Sequence, residues 1–117
     1  MNDIGYGNGR RAHERRALHG AAEIVAEGYG TVPVSIVDIS VEGMRIVAPF
    51  NPREGVLFLL KTRLPLRPSG SLGVEVNVRV ANSILTGHED GFTVGLTFLN
   101  LSDEAEQAIR GYIRVPD

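Results

Sequence analysis

The sequence predicts a mainly all-β fold that ends in a single α-helix. Three observations carry this. Short runs rich in β-branched residues recur along the chain between Gly, Pro and Asn signals. One of them alternates strictly: Val74, Val76, Val78 and Val80 fall on one face, and Glu75, Asn77 and Arg79 on the other. After Leu101 the apolar period lengthens from two residues to between three and four.

The elements are legible in chain order. Residues 1–9, MNDIGYGNG, carry three glycines and little that packs, so they read as a flexible arm. The run RRAHERR comes next. AAEIVAE at 21–27 reads as a first strand, ended by Gly28-Tyr29-Gly30. TVPVSIVDIS at 31–40 is a second strand. Gly43 turns the chain, and MRIVAP at 44–49 returns as a third. NPREG introduces VLFLLKTR at 56–63, and RPSGSLG at 67–73 reads as a loop before the alternating valine strand. HEDG at 88–91 signals a hairpin turn into FTVGLTF at 92–98. Strands at this spacing suit a barrel or a sandwich.

Ser102 is placed to cap the helix, and Asp103 and Glu104 suit its positive N-terminal end. Leu101, Ala105, Ala108, Ile109, Tyr112 and Ile113 form one apolar stripe. A helix this short is stable only when docked. The open mouth of a small barrel is the natural place for it.

Composition narrows the function. The 117 residues fit one domain, and 43% apolar content is that of a globular chain. No apolar run approaches the ~20 residues that span a bilayer, and no secretory signal pattern opens the chain. The expectation is a cytoplasmic protein without membrane insertion. With no cysteine there is no disulfide, thiol nucleophile or thiolate metal site. The net charge of −2 is uneven. Arg10, Arg11, Arg15 and Arg16 outweigh Asp3 and Glu14 in the first twenty residues, while the remainder is acidic. Positive charge concentrated in one short segment suits capture of a small anion better than coverage of DNA or RNA.

Two groups of residues suit such an anion. Arg11 and Arg15 stand four apart, preceded by Arg10 and followed by Arg16. Guanidinium forks match phosphate and the O6/N7 edge of guanine, and they stack on purine faces. Read alone, the run is equally a solvated basic tail. The second group is DISVEG at 38–43. Asp38 and Ser40 share a face at a strand end, with Ile39 and Val41 toward the core. Asp38 can accept from guanine N1–H and N2–H₂, with Ser40 beside it. Gly43 permits a positive φ or a close backbone approach. Read alone, this is a strand-end turn whose side chains bond to local backbone. His13 and Arg79 are lesser candidates for ligand contact, and Gly95 for a close approach to the barrel wall. His88-Glu89-Asp90 sits at a hairpin tip with no further metal ligand in view.

Together, R-R-x-x-x-R, one intervening strand and D-x-S-x-x-G, closed by GLTFLN and SDEAEQAIRGYI, resemble the PilZ domain family, bacterial receptors for cyclic di-GMP. The resemblance covers most of the chain. It implies a six-stranded antiparallel β-barrel with a C-terminal α-helix at residues 18–117, preceded by a flexible N-terminal arm, residues 1–17, that carries the arginines. It implies cyclic di-GMP as ligand, held by Arg10, Arg11, Arg15, Asp38, Ser40 and Gly43. It implies no catalysis, no metal and no cofactor. The expected action is an arm ordered by ligand that signals to an unidentified downstream protein. The alternative is an interaction adaptor that works without ligand. An arginine at position 10 resembles the form of the family that binds a stacked ligand pair. Glu42 departs from the small residue frequent at its position, and a turn points it to solvent.

Overall fold

A computed structural model describes residues 14–86 and 91–114. The strands are β1 (Arg16–Ala26), β2 (Gly30–Ile39), β3 (Gly43–Ala48), β4 (Leu57–Pro65), β5 (Ser71–Leu85) and β6 (Phe92–Phe98). One helix, α1 (Asp103–Arg114), comes after them. The strands close into an antiparallel barrel in the order β1-β2-β3-β6-β5-β4, with β4 pairing back onto β1. Of the expected arm, residues 1–13 lie outside the described residues, and so does the His88-Glu89-Asp90 hairpin tip.

Inward positions of the barrel are apolar: Ile24, Ile36, Met44, Ile46, Leu60 and Val94 are all buried. In β5 the alternation read from sequence holds, with Val76, Val78 and Val80 inside and Glu75, Asn77 and Arg79 exposed. Near one barrel end Phe50 and Phe58 pack edge to face, 5.9 Å between ring centres.

Several strands run longer than sequence periodicity suggests. β1 begins at Arg16 rather than Ala21, because Arg16 and Ala17 pair with Ile39 and Asp38 before a bulge carries the ladder on to Gly20. β5 begins at Ser71, inside the expected loop, because Ser71, Leu72 and Gly73 pair with Pro65, Leu64 and Arg63. Cross-strand partners supply pairing that local composition does not announce.

The helix starts as its residues dictate. The Ser102 hydroxyl accepts from the Ala105 N–H at 3.1 Å, with Asp103, Glu104 and Glu106 in the first turn. Ala105 and Ile109 are buried. Ala108, Ile109 and Tyr112 meet Leu18, Ile39 and Leu64 at the barrel end where β1 starts and β2 finishes. Among the described residues no helix is long and apolar enough to cross a membrane.

Candidate functional site

A phase change in β2 builds the site. Val34 and Ile36 face the core, so strict alternation would send Asp38 inward as well. Instead the register against β3 shifts between Ile36 and Asp38, which leaves Val37 as an extra residue. A bulge of this kind inverts the faces of the residues beyond it. Ile39 takes the core position and is 1% exposed. Asp38 moves to the outer face, opposite Ala17 of β1 and Arg45 of β3.

There Asp38 is clamped. Arg15 Nη1 donates to its Oδ1 at 2.8 Å, and Arg45 Nε donates to Oδ2 at 2.8 Å. A second Arg45 nitrogen, Nη2, also donates to Oδ2. The carboxylate is nearly buried, while both arginines remain partly open to water. The Arg45 guanidinium is raised above its ordinary value, chiefly by the Asp38 hydrogen bond and also by its charge, against an opposing effect of partial burial. Two cations around one carboxylate leave net positive charge on this patch. That is the electrostatic requirement for an anionic ligand.

Ser40 and Gly43 have different work. The Ser40 hydroxyl is 1% exposed and accepts from the Glu42 and Gly43 N–H groups at 3.1 and 3.2 Å. Its own N–H donates to the Gly43 carbonyl at 2.9 Å. Ser40 therefore braces the turn behind Asp38. Of the two roles open to Gly43, the close approach is the one realised. A Cβ there would lie 1.9 Å from the Leu96 carbonyl oxygen. Glu42 is exposed at the turn, and its carbonyl accepts from Phe98 N–H at 2.9 Å.

The other sequence candidates separate. Arg10, Arg11 and His13 lie outside the described residues. Arg79 is exposed on β5, opposite Leu57 and Thr97. Gly95 makes room for a side chain of its own barrel: a Cβ would meet Asn82 Oδ1 at 2.9 Å. Arg16 turns to the helix instead of the outer face, donating to the Tyr112 carbonyl at 2.8 Å with its guanidinium 4.8 Å from the Tyr112 ring centre. The residue that sequence reasoning missed is Arg45. Its signal was present: a lone arginine on an apolar strand, two residues beyond the turn glycine, opposite an acidic residue in an antiparallel hairpin.

A search of curated proteins finds no match. Among solved structures the fold is similar to that of the Bacillus subtilis inhibitor of motility MotI/DgrA, with TM-score 0.76, 19% identity, and coverage of 89% of this chain and 49% of that one. It is similar to the PilZ domain of Escherichia coli YcgR solved with c-di-GMP (TM-score 0.63, 16% identity, 89% and 88% covered). It is similar also to K. pneumonia MrkH in complex with c-di-GMP (0.60, 18%, 86% and 49%). The chain spans about half the length of the MotI and MrkH chains. The PilZ domain model matches residues 9–114, from just before the arginine run to the last described turn of the helix. The closed six-stranded barrel, its capping helix and this match have one reading: the chain belongs to the PilZ domain family.

Proposed function

We propose that this protein is a receptor for cyclic di-GMP that captures the nucleotide without chemical change. The observation that carries the reading is the meeting of Arg15 and Asp38. They come from the two sequence motifs, lie 23 residues apart, and join on the outer face of the barrel at 2.8 Å. The two fold neighbours solved with c-di-GMP support the ligand assignment.

In this reading Arg10, Arg11 and Arg15 hold phosphates and guanine O6/N7 edges, and Asp38 accepts from guanine N1–H and N2–H₂. Arg45 keeps Asp38 compensated and aimed when Arg15 turns to the ligand. Ser40 and Gly43 act by shaping the turn. Ligand neutralises the arginines and orders the arm that precedes the barrel, which presents a new surface to a downstream protein. Titration calorimetry with cyclic di-GMP, beside GTP and a short RNA, tests the assignment. The expected result is binding of cyclic di-GMP alone, with no pGpG or GMP formed on long incubation. Absence of heat well above micromolar ligand would overturn it and favour a ligand-independent adaptor.

A further inference from the structure

A concave site lies apart from the Arg15–Asp38 pair. A cleft of about 300 Å³ opens between α1 and the turn that joins β4 to β5. Its helical wall is formed by Glu104, Gln107, Ala108, Gly111 and Tyr112. These recur at three- and four-residue spacing, so they lie along one side of the helix. The facing wall is Leu66 and Arg67, with Leu72 behind them. The turn is closed by a hydrogen bond from the Leu66 N–H to the Gly70 carbonyl at 3.0 Å.

The walls carry complementary chemistry. Arg67 sits over the Tyr112 ring, 5.2 Å from its centre. Glu104, in the first helical turn and about two turns before Tyr112, lines the helical wall of the same cleft. Among the described residues neither Arg67 nor Glu104 has an ion-pair partner, and they do not pair with each other. Opposite charges held apart on facing walls suit a ligand that offers acceptors on one edge and donors on another. Guanine does this: O6 and N7 accept from a guanidinium fork, while N1–H and N2–H₂ donate to a carboxylate. Its flat face suits the Arg67 guanidinium plane, which itself lies over the Tyr112 ring. Gly111 adds a separate observation. Glycine inside a helix is disfavoured relative to alanine, yet a Cβ at this position would meet nothing within 4 Å. Packing does not demand the glycine, and its missing side chain deepens the cleft.

We propose that this cleft is a guanine-base site. It is tied to the arginine run. Arg16, next to Arg15, donates to the Tyr112 carbonyl, and the Tyr112 hydroxyl donates to the Ala17 carbonyl at 2.6 Å. As the seat of a further guanine of bound cyclic di-GMP, the cleft rests on the receptor reading. As a base site it is testable without that ligand.

The test is amide NMR of the full chain titrated with GMP, IMP, AMP and CMP, whose shared phosphate cancels in the comparison. GMP is expected to shift the Leu72, Gln107 and Gly111 amides in a saturable way. IMP lacks the N2 amine and is expected to bind about tenfold more weakly, the effect of one charge-assisted hydrogen bond. AMP and CMP are expected to leave these amides unmoved. Glu104→Gln should erase the preference for GMP over IMP. Gly111→Leu should fill the cleft and abolish the GMP shifts while the remaining spectrum stays that of the folded barrel. Equal responses to all four nucleotides, or none to GMP at about ten times a millimolar Kd, would overturn the proposal. Cyclic di-GMP titrated in parallel separates the two readings. Binding that Arg15→Ala abolishes, without a GMP response in the cleft, sinks the cleft alone. A GMP-selective cleft in a chain that ignores cyclic di-GMP sinks the receptor reading alone.

Discussion

Arg15 and Asp38 meet at 2.8 Å although 23 residues separate them, and Arg45 holds the other oxygen of the same carboxylate. The pair forms because β1 and β2 run antiparallel from a shared end and a bulge turns Asp38 outward. Arg15 keeps over a third of its side-chain surface in water, so in the receptor reading it exchanges Asp38 for a ligand while Arg45 holds the carboxylate.

Arg15→Ala, Arg11→Ala and Asp38→Ala are each expected to weaken cyclic di-GMP binding by roughly tenfold to over a hundredfold, the worth of one charge-assisted contact. The Arg15–Asp38 pair joins a partly exposed guanidinium to a nearly buried carboxylate that Arg45 still holds through two nitrogens, and its contribution to folding is on the order of 1 kcal/mol. Arg15→Ala should therefore melt close to the native protein. Calorimetry and thermal denaturation on the same samples check both halves. Unchanged affinity in both arginine variants would place the site elsewhere.

Arg45→Ala leaves a nearly buried carboxylate with one partner. A loss of about 1–2 kcal/mol is expected, less than for a fully buried pair because Arg45 is half exposed. Arg45→Lys should restore only part of it, since an ammonium lacks the fork that reaches Oδ2 through two nitrogens. Adding Asp38→Asn to Arg45→Ala should recover stability but not binding. Because the Arg45 guanidinium is raised, its stabilising effect is full below the unfolded value and is lost only as pH rises through the still higher folded one. Urea melts should then show no alkaline loss due to Arg45 up to about pH 10.

Gly43→Ala tests the turn. The added methyl collides with the Leu96 backbone carbonyl, which belongs to the β3–β6 ladder and cannot swing aside. Destabilisation of about 3 kcal/mol or more is expected, with binding lost through the fold. Gly111→Ala is the contrasting control. It meets open space and should raise stability by about 0.4–1 kcal/mol. Equal melting curves for the two variants would contradict the contact at Gly43.

Arg10 decides the stoichiometry in the receptor reading. Two ligand molecules per chain are expected for the native sequence, and a shift toward one in Arg10→Leu. A stacked pair carries more phosphate charge and exposes a further guanine face, which an additional guanidinium neutralises and covers. Glu42 is exposed, where its repulsion is screened by solvent and salt. Titration against independently quantified active protein gives the count. A clean single-ligand endpoint in the native chain would sink this prediction and leave the receptor assignment standing.

Much of the molecule was determined by the sequence itself. The valine alternation of β5 set its inner and outer faces, because side chains in a strand point to opposite sides. Ser102 and the acidic residues after it set where α1 begins, because unsatisfied N–H groups need an acceptor within a few residues. These are local constraints, and local constraints are legible in order along the chain. Tertiary structure decided the rest. The extension of β1 to Arg16 and of β5 to Ser71 depends on what lies across the ladder. The outward turn of Asp38 depends on a bulge that only pairing with β3 creates, and Ser40, beyond the strand end, is buried by its hydrogen bonds to the turn backbone. Arg45 reached the site, and Arg16 left it for Tyr112, through contacts between elements far apart in sequence. Such choices are set by register and by the helix over the barrel end, and neither is written in any one segment.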